Sequence, residues 1–327
     1  MTSRQATIDA FLEGCGWGPA DRVLLAADAS FRRYLRLSLG GRRAVLMDAP
    51  PPKEDVRPFV ALARHLRSCG YRAPAILEND ATAGLLLLED LGDATFTRLL
   101  AEGSPEAPLY RLGVDLLIDL GRHEPPSGLA VYDADRLQDE AMLLVDWTLP
   151  AIGIAADSAV RDSYRQAWHE VLPLAFGVAQ GLVLRDFHVD NLMRLDDRQG
   201  LAQCGLLDFQ DAVIGPVTYD LVSLLEDARR DVAPAVVAQE RQRFLVACAA
   251  KASAFDASWA CLAVQRHAKV IGIFTRLARR DGKPSYLRHM PRLWRLLERG
   301  LAHPGLAPVA AWFARHVPAD ERRTPAP

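Results

Sequence analysis

The chain has little of several features that would narrow its role quickly. Its five cysteines, Cys15, Cys69, Cys204, Cys248 and Cys261, are scattered, odd in number and never spaced as CxxC. That argues against a disulfide framework or a cysteine-based zinc site. No apolar run approaches the roughly twenty residues that cross a bilayer. The first stretch, MTSRQATIDAFLEGCGWG, lacks the apolar core and small-residue cleavage site of a secretory signal. Neither sign of charge dominates: 39 Lys and Arg stand against 41 Asp and Glu, a formal net charge of −2. Broad attraction to nucleic acid or to an anionic membrane is therefore not expected. A reduced, cytoplasmic chain is expected, with no nucleic-acid or membrane partner and no obligate protein partner.

What is present is ordinary globular composition, 50% hydrophobic and 24% charged over 327 residues, enough for two lobes. Residues 3 to 14 read as a short amphipathic helix stopped by Gly14, Gly16 and Gly18. Short strands follow at Val23 to Ala26, Phe31 to Leu39 and Ala44 to Met47. Leu35, Leu37 and Leu39 alternate with Arg36 and Ser38, the period of a half-buried strand, and Gly40-Gly41 suits a tight hairpin. After Pro50-Pro51-Pro52 a helix is expected from about Asp55 to Gly70, with Phe59, Leu62, Ala63 and Leu66 on one face, then a fourth strand at Gly84 to Leu88. The remainder reads as mainly helical, apart from a strand-rich insert at residues 182 to 211.

That insert, continued by Ala212, carries the chemistry: GLVLRDFHVDNLMRLDDRQGLAQCGLLDFQDA, residues 181 to 212. Leu192 to Leu195 and Cys204 to Leu207 can pair as a hairpin, with Leu192 facing Leu207 and Leu195 facing Cys204. In that register Asn191 falls beside Asp208, giving two oxygen ligands of the kind Mg2+ takes when phosphates and waters complete its shell. Asp186 lies on the loop just before, where a carboxylate can orient an acceptor hydroxyl and take its proton. Each of the three alone reads as a turn or cap residue. Together, at this spacing and each ending a short strand, they point to phosphoryl transfer.

Arg185-Asp186-Phe187-His188-Val189-Asp190-Asn191 resembles the catalytic loop of protein kinases and aminoglycoside phosphotransferases, and Asp208-Phe209-Gln210 resembles their metal-binding motif. The resemblance implies a two-lobed α+β protein-kinase-like fold, with a small antiparallel-sheet N-lobe at 1–91, a mainly helical C-lobe at 92–327, and ATP and Mg2+ as cofactors. Leu85 to Gly92 resembles the family's hinge strand, where the Glu89 carbonyl and the Leu91 amide would pair with adenine. A buried strand ending in a solvated turn is equally compatible with those residues.

Two departures stand out. The phosphate-covering connector, Asp28 to Arg33, has no glycine, and Met47 stands where the third strand usually carries a lysine. The helix from Val56 to Cys69 also lacks a glutamate to pair with such a lysine. Ser30, Arg32 and Arg33 are the candidate nucleotide-binding residues on the connector, Arg43 a more remote one. Arginine can fork onto two phosphate oxygens, although strand-edge arginines also serve simply as solvated charges.

Asp28 to Tyr34, Leu46-Met47-Asp48-Ala49-Pro50-Pro51, Asp208 to Ala212 and Gly215 to Leu221 resemble one branch, the N-acetylmuramate/N-acetylglucosamine anomeric kinases of bacterial cell-wall recycling. Gln265-Arg266-His267, Lys269, Gly272, Phe274, Arg276 and Arg280 to Pro284 also fit. Membership implies transfer of the ATP γ-phosphate to the anomeric hydroxyl of a small amino sugar. The branch normally has histidine where this chain has Leu184. The resemblance gives Asp220 the role of bracing the catalytic loop, and it also reads as a helix N-cap. Candidates for the sugar are Trp147 and Glu140, whose i to i+7 spacing equally suits core packing. Arg266, Lys269 and Arg276 could meet a lactyl carboxylate or form a solvated face. The alternatives are an aminoglycoside or other small-alcohol kinase of the same superfamily, and a nucleotide-binding pseudokinase.

Overall fold

A computed structural model describes residues 3–27 and 31–326. Contacts divide the chain into two compact units, Met1–Ser104 with Val189–Asp211, and Pro105–His188 with Ala212–Pro327.

The first unit opens with α1 (Ser3–Gly14), β1 (Asp21–Ala27), β2 (Arg33–Leu39), β3 (Arg42–Asp48), α2 (Arg57–Ser68), β4 (Ile76–Asp80), β5 (Leu85–Leu88) and α3 (Phe96–Ala101). Its sheet has the order β1-β2-β3-β5-β4, and every neighbouring pair is antiparallel. The alternation in β2 does what its period requires. Leu35, Leu37 and Leu39 join Ala44, Leu46, Leu85 and Leu87 on one face, which packs against Ile8 and Leu12 of α1. Tyr34, Arg36, Val45, Met47, Leu86 and Leu88 share the opposite face by register. Gly40 and Gly41, at φ +55° and +80°, close the β2–β3 hairpin between Leu39 and Arg42. Two successive positive φ values are what a two-residue type I′ turn demands. In α2 the residues Phe59, Leu62, Ala63 and Leu66 are buried, the expected stripe.

The second unit holds α4 (Glu106–Leu120), α5 (Ala134–Ala141), a π turn (Leu144–Thr148), α6 (Leu149–Ala151), α7 (Ser158–Val171) and β6 (Gln180–Val183). The hairpin β7 (Leu192–Arg194) and β8 (Cys204–Leu206) belongs to the first unit. The second unit resumes with β9 (Val213–Pro216), α8 (Thr218–Leu225), α9 (Pro234–Ala247), α10 (Ala252–Arg279), α11 (Met290–Leu301) and α12 (Ala307–His316). Two strands went unread in the sequence. β4, with the sequence ILEND, is a largely exposed edge and has no apolar alternation. β9, with the sequence VIGP, looks like a turn, yet pairs antiparallel with β6 from Val183↔Val213 to Gln180↔Pro216. Among the described residues no helix is long and apolar enough to cross a membrane.

The long helix α10 runs through the core of this unit and meets the turn after α5 at Gly272. A Cβ there would lie 2.3 Å from the carbonyl carbon of Leu143 and 2.4 Å from its oxygen. Only a residue without a side chain lets the two backbones approach so closely. Gly272→Ala is therefore expected to cost about 1–3 kcal/mol, the usual range for overpacking, and to lower the thermal midpoint by several degrees. Gly14→Ala is the control, since nothing lies within 4 Å of a Cβ at that position. Equal midpoints for the two variants would reject the close-approach argument.

Candidate active site

In the first unit, β7 and β8 form the expected hairpin with a register one residue different from that read in the sequence. Leu192 pairs with Leu206, Met193 with Gly205 and Arg194 with Cys204. The 3-10 turn Gly200–Gln203 takes up the chain before β8, so Leu195 bonds Gln203 rather than facing Cys204 (Leu195 N to Gln203 O, 2.9 Å). Asn191 consequently lies opposite Leu207, whose amide donates to its carbonyl at 2.9 Å, and Asp208 is the next residue along. Asp208 adopts φ +55°, a left-handed conformation rare outside glycine. Two neighbours anchor the motif: Gln210 donates to Asp208 Oδ1 at 2.8 Å, and Phe209 stacks on Phe59 of α2 with centroids 4.9 Å apart.

Among the described residues, no group of three or more His, Cys, Asp or Glu side chains is placed to hold a metal ion. Asn191 and Asp208 each carry a side-chain oxygen donor. Such a pair fits Mg2+, which keeps waters and phosphate oxygens in its shell, better than a cation needing an all-protein cage.

The connector arginines separate cleanly. Arg33 and Arg4 both bind the fully buried carboxylate of Asp48, Arg4 at 2.5 Å. Arg32 instead lies 3.4 Å from Asp208 Oδ1 and 3.9 Å from Glu54 Oε2. Arg43 is exposed on β3. Met47 is buried, opposite Tyr34 and Leu86, so no charge takes its place on the third strand. Ser30 lies outside the described residues. At the end of β5, the Glu89 carboxylate accepts from Arg72 and from the Ala75 amide, and the Glu89 amide donates to the Ala75 carbonyl at 2.8 Å. That side chain is used to shape the turn. Arg36 bonds Asp90, Asp93 and the Gly92 carbonyl, which fixes the stretch holding Leu91.

In the second unit, Asp186 follows Arg185, which has φ +69°. The strained turn is held by Asp220, a buried residue in the first turn of α8. Its carboxylate accepts the amides of Leu184 at 2.6 Å and Arg185 at 2.9 Å. The brace is real, and the carboxylate grips the loop rather than capping its own helix. The Arg185 guanidinium binds Glu140, which also takes Lys269 Nζ at 2.8 Å and the Tyr132 hydroxyl. Burial pushes Glu140 up, but Lys269 and Arg185 outweigh it and hold its pKa below the ordinary carboxylate value. Lys269 also sits over the rings of Tyr132 and Tyr219, 5.8 Å from each centroid. Tyr132 had no signal in the sequence. It arrives through the backbone bond from its amide to Ile214 in the unread strand β9.

The remaining candidates are dispersed. Arg266 is buried and donates to Ser223 Oγ at 2.8 Å. Arg276 is half-buried, with a pKa lowered by burial and by Arg280. Trp147 is half-buried in the π turn Leu144–Thr148. That turn breaks the regular helical period, so the i to i+7 spacing from Glu140 no longer defines a common face.

Burial raises the Asp220 carboxyl to about 7, against the pull of the two amides. A carboxyl raised above its unfolded value contributes stability that is complete below the unfolded pKa and is lost as pH rises through the folded one. Stability is therefore expected to fall between about pH 4 and pH 7, with unfolding releasing about one proton there. Asp220→Asn should flatten that part of the profile of thermal midpoint against pH. An unchanged slope would remove Asp220 as its source.

Residues 21–259 match the model of the phosphotransferase enzyme family. The chain is 36% identical to the N-acetylmuramate/N-acetylglucosamine kinase of Caulobacter vibrioides, covering 98% of this chain and 99% of that one. It is also 36% identical to the kinase of the same name from Pseudomonas aeruginosa, covering 91% and 90%. Among solved structures, the gentamicin complex of APH(2")-IIa aligns with a TM-score of 0.63 at 16% identity, over 91% of this chain and 99% of that one. A choline/ethanolamine kinase family protein from Mesorhizobium loti aligns with a TM-score of 0.62 at 12% identity, over 94% and 98%. These likenesses concern the fold, and it is the protein-kinase-like phosphotransferase fold read from the sequence. The chain belongs to the phosphotransferase enzyme family, among the N-acetylmuramate/N-acetylglucosamine kinases.

Proposed function

We propose that the chain is an ATP-dependent sugar kinase that transfers the γ-phosphate, with Mg2+, to the anomeric C1 hydroxyl of N-acetylmuramate or N-acetylglucosamine. The observation that carries this reading is the full-length likeness to kinases of that name, in a chain that keeps acids at both left-handed turns, Arg185-Asp186 and Asp208. In this reading Asp186 orients the sugar hydroxyl and takes its proton. A hemiacetal hydroxyl is more acidic than other sugar hydroxyls, so one positioned carboxylate suffices. Asn191 and Asp208 hold the metal, which when bound offsets the charge of the polyphosphate. Residues 1–91 form the nucleotide-covering lobe, where adenine meets the Glu89 carbonyl and the Leu91 amide. The lobe at 92–327 carries the acceptor.

Glu140 is engaged with Arg185 of the loop and with Lys269, and Arg266 with Ser223, while Trp147 and Arg276 keep partly exposed side chains for the sugar. The charge pattern disfavours an aminoglycoside acceptor. A polycation needs an acidic surface, and Glu140 is already matched by Arg185 and Lys269.

Asp186→Asn is expected to leave ATP affinity near wild type and to cut turnover about 100-fold or more. Asp208→Ala should abolish metal-dependent nucleotide binding. N-acetylmuramate or N-acetylglucosamine should give a non-reducing product whose phosphorus signal couples to the anomeric proton. The 1-O-methyl glycosides should give no product. Phosphate on another ring hydroxyl would reject the anomeric assignment, and near-normal turnover by Asp186→Asn would reject that residue as base.

A further inference from the structure

The chain's basic residues are nearly all arginine; its four lysines are Lys53, Lys251, Lys269 and Lys283. None is on the third strand, and α2, with the sequence RPFVALARHLRS, has no acid. An ion pair nevertheless forms close by, from different positions. Arg32 Nε lies 3.9 Å from Glu54 Oε2, and the other oxygen of Glu54 accepts the Phe31 amide at 3.1 Å. The carboxylate therefore grips both the backbone of the connector and the side chain of its arginine. Arg32 is only 11% exposed, and its Nη2 reaches Asp208 Oδ1 at 3.4 Å. Arg33 is held by Asp48 and takes no part.

We propose that Glu54, in the turn before α2, is a positioning residue that aims Arg32 at the phosphate end of the nucleotide beside Asp208. This rests on the phosphotransferase reading above and adds to it a residue outside the catalytic and metal motifs. The physical reason is entropic as well as electrostatic. Arg32, just outside β2, would otherwise have many rotamers, and a second carboxylate restricts them before the phosphate arrives. Two carboxylates facing one guanidinium also leave local negative charge that a metal–phosphate group can share. Lys53 is the competing cation, since its ammonium lies over the exposed Phe31 ring at 4.2 Å. It makes no ion pair with Asp208 among the described residues.

The test is calorimetric binding of a non-hydrolysable ATP analogue with Mg2+, and separately of adenosine, to the full chain and its variants. Arg32→Ala and Glu54→Gln should each weaken the analogue about tenfold, the loss of one charge-assisted contact, while adenosine binds as to wild type. The double variant should bind no more weakly than Arg32→Ala alone, because Glu54 acts through Arg32. Glu54→Asp should recover part of the affinity, and Lys53→Ala should match wild type. Wild-type analogue affinity in Glu54→Gln overturns the proposal. So do additive losses in the double variant, an equal loss of adenosine, or a loss in Lys53→Ala that exceeds that in Arg32→Ala. Each of those results leaves the kinase reading standing, whereas a wild-type chain that binds no analogue overturns both.

Discussion

Asp220 accepts the amides of Leu184 and Arg185 from inside the core of the second unit, and the direction of the residue after them depends on that grip. A left-handed Arg185 costs about 1–3 kcal/mol and persists only where its surroundings over-determine it. A hydrogen bond contributes about 0.5–1.5 kcal/mol net, and more when its acceptor is ionised, so two of them match the cost of the turn. Glu140 adds a third hold, on the side chain of the same residue. Asp186 therefore follows a segment fixed at backbone and side chain, which suits the role of proton acceptor proposed for it. The same arrangement leaves no polar task for residue 184, where Leu184 stands. It is buried and packs, while the polar work of holding the loop falls to Asp220.

Charge around Arg185 in the second unit converges on one carboxylate. Arg185 and Lys269 share Glu140, and the Tyr132 hydroxyl joins the same carboxylate. Removing Glu140 would leave both cations without their carboxylate in a poorly hydrated place, which is far more costly than the net value of the pair. Glu140 and Lys269 have the chemistry of a sugar site and are also ion-paired with each other.

The sequence made some features legible and hid others for physical reasons. Local periodicity revealed β2, the Gly40-Gly41 turn and the buried face of α2, because each is written in consecutive residues. Asp186, Asn191 and Asp208 stand out as candidates in the sequence because their spacing and residue types are jointly unusual. The hairpin register was misread by one position, since nothing in Asp196 to Gln203 announces a 3-10 turn. Strands β4 and β9 were hidden because an exposed edge and a Gly-Pro ending lack the alternation that marks a half-buried strand. Tyr132 and Glu54 could not be found at all. Their importance comes from partners 137 and 22 residues away, Lys269 and Arg32, and only the folded chain brings those pairs together.

The missing third-strand lysine is better understood as a change of geometry than as a loss of charge. A lysine offers one compact ammonium at the end of a flexible stem and needs a rigid strand beneath it to be aimed. An arginine presents donors along both edges of a plane, so one guanidinium can face two acids from separate nitrogens. Arg32 does this with Nε toward Glu54 and Nη2 toward Asp208. A connector residue held in that way no longer needs the strand, and β3 is then free to place an apolar methionine at the same position. Met47 is almost completely buried against β2 and β5, where an ammonium would have required a buried partner that α2 does not supply. On the proposed reading, the methionine at position 47 and the arginine at position 32 are two sides of one solution.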